Sequence, residues 1–148
     1  MADTRARVGV DPGKTLLLAW LVPGAGHWLL HRRGRALLYG ASVIGVFIAG
    51  LLMGGLQTVS VYGHKWAFAL QIFDGPMAIA AAVAHHLVAV GSQAAGVAAD
   101  SLLRRLASTE PSQLTDLGMT FTLVSAAFNV LVIADAFYLA DKPEDETA

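Results

Sequence analysis

His85 and His86 sit side by side inside "MAIAAAVAHHLVAVGSQAAGVAA" (77–99), a run with no other ionisable side chain. Where such a run crosses a membrane, an ionisable residue marks a functional site by default. Neutral imidazole ligates haem iron, or the magnesium of a chlorophyll-type pigment. His85 shares a helix face with Ala78, Ala81, Ser92 and Gly96, small residues that leave room for a flat macrocycle. The plainer reading is two neutral imidazoles bonded to a carbonyl or a neighbouring helix. A bis-histidine haem would need a second ligand at the same depth, and no other apolar run offers one. The expectation is therefore no cofactor, with haem or pigment on His85 or His86 as the alternative.

Other candidates for chemistry fall away on spacing. His27 and His31 are four apart, but the zinc-protease pattern needs a glutamate where Trp28 stands. An interfacial polar role suits them better. "GVDPGKT" (9–15) ends like a phosphate-binding loop, yet Val8 occupies the position of its first glycine and an apolar helix follows. Asp74 and Asp135 lie toward the ends of apolar runs, which gives ion transport little support. With no cysteine there is no thiolate site, and no paired acids or serine elbow appear. The expectation is a protein without catalysis and without a soluble substrate.

The elements that position these residues follow from composition. The chain has 148 residues, 55% hydrophobic and only 14% charged, with a net charge of -1. Soluble domains carry about 25% charge, and nucleic-acid binding needs a basic patch that is missing here. Three apolar stretches, about 36–56, 77–99 and 118–140, reach the roughly 20 residues that cross a bilayer. The fold class is therefore all-α integral membrane, one domain with three transmembrane helices. A tail (1–13) leads into an apolar run of signal-peptide outline, read as part of the mature chain. "WAFALQIFDGP" is read as an interfacial helix over about 66–73 that stops at Asp74-Gly75-Pro76, with Trp66, Phe68 and Phe73 at the headgroups. Arg104 and Arg105 extend the second span, Thr109-Glu110-Pro111 starts the next helix, and an acidic tail (141–148) closes the chain.

Small residues four apart let membrane helices approach closely. Gly50 and Gly54, Ala41 and Gly45, Ser92 and Gly96, and Ala95 and Ala99 have that spacing. In the last span Gly118, Thr122, Ser125, Asn129, Val132 and Ala136 fall on one small, polar face. Asn129 should face protein, since an amide facing lipid leaves its donors unsatisfied. These faces predict other integral membrane subunits as partners.

"LLLAWLVPGAGHWLLHRRGRALLYG" (16–40) resembles the Pro-Gly-x-Gly-His family of polytopic bacterial membrane proteins, and more distantly the small two-transmembrane-helix domain family. Pro23, Gly24, Gly26 and His27 carry the match, and Arg32, Arg33 and Gly34 fit the turn after it; Leu29 stands where an aromatic is usual. The resemblance implies a bacterial cytoplasmic-membrane protein and brings no enzyme activity.

Charge decides how this stretch meets the bilayer. A full crossing by 16–30 would leave five Lys and Arg on each side. A re-entrant hairpin over 14–31, turning at Pro23–Gly26, puts eight on one face against Lys65 and Lys142 on the other. Basic residues near span ends collect in the cytoplasm, so the hairpin is expected, anchored by Arg32, Arg33 and Arg35. The amino end is then cytoplasmic and the carboxyl end external. The function expected is an accessory or scaffold subunit of a larger membrane complex; the arginines also allow a lipid-interacting role.

Overall fold

The computed structural model describes residues 10–59, 65–95 and 113–141. Every regular element among them is helical: α1 (Pro12–Leu21), α2 (Ala25–Leu29), α3 (Arg33–Gly54), a 3₁₀ turn (Leu56–Val59), α4 (Lys65–Gln71), a second 3₁₀ turn (Ile72–Asp74), α5 (Pro76–Ala95) and α6 (Gln113–Asp141). Two of these, α3 and Leu114–Asp141 of α6, are long and apolar enough to cross a membrane. Arg104, Arg105, Thr109–Pro111, Gly96, Ala99 and residues 1–9 and 142–148 of the two tails lie outside the described residues, as does the side chain of Ser92.

α3 and α6 form the frame, packed antiparallel along the small face anticipated for the last span. A Cβ built on Gly50 would stand 2.7 Å from the Gly118 carbonyl, and one on Gly118 would stand 2.6 Å from the Gly50 carbonyl. The backbones therefore touch, as small residues permit when polar atoms hold the helices together. Further along, Ser125 Oγ donates to the Val43 carbonyl at 2.9 Å. Thr122, Ser125, Asn129, Val132 and Ala136 are all buried. The competing pair in α3 faces outward, for both Ala41 and Gly45 are exposed.

α1 and α2 form a helical hairpin within the stretch read from the sequence as re-entrant. Asp11 caps α1, its carboxylate accepting from Gly13 N–H at 2.8 Å, with Pro12 in the first turn. α1 ends at Val22, extended because a proline follows. Gly24 then turns the chain with φ +85°, and a side chain there would collide with the Ala36 carbonyl. α2 runs back beside α1, with Gly26 set between Ala19 and Ala136.

The second hairpin corrects the sequence reading. α4 does not lie flat outside the bundle; it runs inward along α6, with Trp66 and Leu70 exposed and Gln71 buried at its end. Gln71 bonds Thr122, Asp74 meets Ser125, and the Phe73 carbonyl accepts from Asn129. Gly75 (φ +72°) reverses the chain, and Ala78 and Ala81 of α5 return toward Phe47 and Val59. The expected second span, 77–99, therefore starts halfway along the α3–α6 pair rather than at its end, because Asp74 and Gly75 are buried.

The hairpins enter from opposite ends of the frame and meet at its middle. Trp20 Nε1 donates to the Ile72 carbonyl at 3.1 Å, and Gly75 sits against the Trp20 carbonyl, where a Cβ would not fit. The chain thus runs twice through a hairpin followed by a long helix, the second time in the opposite direction. Gly26 and His27 lie against Ala136 and Asp135, so the last turns of α6 share an end with the first hairpin.

Candidate functional site at the hairpin junction

Where the second hairpin turns, five polar side chains are fully buried: Gln71, Asp74, Thr122, Ser125 and Asn129. The hairpin brings the first two, and α6 brings the others at spacings of three and four, which stack on one helix face. Gln71 Nε2 donates to the Thr58 carbonyl at 2.9 Å and to Thr122 Oγ1 at 2.6 Å. Thr122 passes its own proton to the Met119 carbonyl at 2.9 Å. Asn129 Nδ2 donates to the Phe73 carbonyl at 2.7 Å, which holds the tip against α6. Ser125 Oγ lies 2.8 Å from Asp74 Oδ1 as well as 2.9 Å from the Val43 carbonyl, so one proton serves two acceptors in turn.

Acceptors outnumber donors at this junction. Gln71 Oε1, Asp74 Oδ2 and Asn129 Oδ1 are buried without a hydrogen-bond partner. A buried polar group without a partner costs about 1–3 kcal/mol, and a charged one more. Asp74, expected near the end of an apolar run, is instead the carboxyl at mid-length of the frame. The sequence reading missed it because its partner Ser125 lies 51 residues away.

A second polar contact lies at the open end of the first hairpin. His27 Nε2 is 2.9 Å from Asp135 Oδ2, with the imidazole fully buried and the carboxylate side chain 39% exposed. Tyr39 stacks edge-on against His27 at 5.0 Å and against Phe128 at 6.3 Å. His27 is therefore a packed residue rather than an interfacial one. The available signal was that Asp135 is the lone acid of its span. Nearby, the Arg33 guanidinium lies over Trp28 at 5.7 Å, and Arg33 and Arg35 are exposed.

Other expected site residues are placed differently. Gly50, Gly54, Ser125 and Asn129 do pack helices, but within this chain, which takes up the face assigned to a partner. His85 is buried on α5 with Nδ1 unpartnered, whereas His86 is exposed. Ala78 and Ala81, on the side offered to a macrocycle, pack against Phe47 and Val59. Among the described residues, no three His, Asp or Glu side chains are grouped to hold a metal.

Residues 14–146 match the profile of a family of unknown function. The chain belongs to this family (DUF6677). The match takes in both hairpins and both long helices, and so all of the junction. Comparison with curated proteins and with solved structures gives no match.

Proposed function

We propose that the protein is an integral membrane protein without catalysis, an accessory or scaffold subunit of a larger membrane assembly. α3 and α6 cross the bilayer, and the two hairpins dip in from opposite faces. Non-helical backbone at that depth is tolerated where protein shields it, and here Pro23–Gly24 and Asp74–Gly75 are buried. The observation that carries the subunit reading is α5. Its buried described side chains end at His85, while Val83, Leu87 and Val90 stay exposed on an apolar helix. This face, and not the small residues of α3 and α6, is where another membrane subunit docks. The resemblance of 16–40 to the Pro-Gly-x-Gly-His proteins agrees with a membrane role and adds no activity. A pigment or haem on His85 or His86 loses the surface it needs at Ala78 and Ala81.

Orientation follows from charge. Lys14, Arg32, Arg33 and Arg35 belong to the end of the frame that holds the first hairpin, and Lys65 to the other. The basic end faces the cytoplasm, so both tails are cytoplasmic. Single cysteines at Ala2 and Ala148 should resist an impermeant maleimide in intact cells, while one at Ser60 reacts. External labelling at either tail overturns the topology. For the subunit role, gentle extraction and native mass spectrometry should show fixed-stoichiometry co-migration that Leu87→Lys abolishes. A monomer as the sole species in native membranes rejects it.

A further inference from the structure

The unpartnered oxygens of the junction all ask for positive charge. Gln71 Oε1, Asp74 Oδ2 and Asn129 Oδ1 are acceptors in fully buried side chains. They belong to neighbouring positions. Asp74 is fixed to Ser125, and Asn129, one turn further along α6, is fixed to the residue before Asp74. Gln71, one turn before Asp74, is fixed to Thr122, one turn before Ser125. No described Lys or Arg reaches this level: Lys14, Arg32, Arg33 and Arg35 are at one end of the frame, and Lys65 opens α4 at the other. α5 begins two residues after Asp74, but Pro76 has no N–H to give, and Oδ2 takes none from the turn.

We propose that Asp74, with the amide oxygens of Asn129 and Gln71 beside it, binds a monovalent alkali cation where the second hairpin turns against α6. A cation can serve several of these acceptors at once, whereas a proton on Oδ2 donates once and leaves the others unmet. A single carboxylate matches a single positive charge. Sites for calcium take 6–8 oxygens, several from carboxylates, and magnesium keeps much of its water. Broken helices meeting at mid-membrane are also where membrane proteins commonly place such ions. The ion ties the hairpin tip to α6, and through Trp20 and Ile72 it steadies the first hairpin too. The inference rests on the fold and is independent of the subunit reading.

The test uses the full chain purified in mild detergent at pH 8. Thermal unfolding is followed in sodium, potassium or choline chloride at equal ionic strength. Sodium or potassium should raise Tm saturably by several degrees over choline, as a ligand bound only to the folded state does. Asp74→Asn should remove the difference between the salts. Asn129→Asp adds a second carboxylate and should make calcium stabilising. Equal Tm in all three salts overturns the proposal, and so does a cation effect that survives in Asp74→Asn. If Asp74→Asn does not fold, the salt comparison on the unaltered protein decides alone.

Discussion

At the tip of the first hairpin, Gly24 lies under the Ala36 carbonyl and the Pro23 carbonyl lies where a Cβ on Gly40 would stand. Backbone meets backbone, and the polar pair of that hairpin, His27 with Asp135, is kept near the open end. At the tip of the second hairpin, closure comes from side chains: Ser125, Asn129 and Gln71 reach across between α6 and the turn. Close approach of glycines leaves no buried side-chain group to satisfy, but it admits no larger residue. Closure through hydrogen-bonding side chains tolerates a looser fit, yet it brings a carboxyl to mid-length and leaves oxygens unmatched. The two hairpins therefore differ in what can break them, and only the second has chemistry at its tip.

The largest effect should come from filling a turn. Gly24→Val forces a branched residue to φ +85° against a carbonyl and should cost about 2–5 kcal/mol, read as loss of cooperative unfolding in detergent. Ser125→Ala leaves both the Asp74 carboxyl and the Val43 carbonyl without their donor, for about 1–3 kcal/mol. That variant should be rescued in part by Asp74→Asn, and no such coupling should appear between Ser125→Ala and Gly24→Ala. Asp135→Asn weakens a partly exposed pair and should cost about 1 kcal/mol or less. Trp20→Phe removes the hydrogen bond from Trp20 to the Ile72 carbonyl, for about 0.5–1.5 kcal/mol. If its effect exceeds that of Ser125→Ala, the tips depend on one another more than on α6, and the comparison must be redrawn.

The first hairpin was legible because its signals are local. Pro23, Gly24 and Gly26 interrupt an apolar run too short to cross, and the basic residues cluster around it. The buried face of α6 was legible for the same reason, since spacing alone puts Thr122, Ser125 and Asn129 together. The second hairpin was not. "QIFDGP" after an aromatic-rich stretch has the local character of a surface turn, and its depth is set by residues 51 and 56 positions away. Spacing also could not choose between Ala41 with Gly45 and Gly50 with Gly54, because both satisfy the same rule. The choice depends on which register meets Gly118.

The pairing of Gly26 and His27 with Ala136 and Asp135 has a consequence for synthesis. The contact between His27 and Asp135 joins residues 108 apart, and the tip of the second hairpin is likewise held by α6. Domains fold as the chain emerges, amino end first, but here the contacts that each hairpin makes with α6 cannot form until the last helix leaves the ribosome. Until then Asp74 and His27 are without the partners they find on α6. A chain stopped before Ser125 should remain protease-sensitive in the membrane, and one stopped after Asp141 should become resistant within the time of a single insertion event.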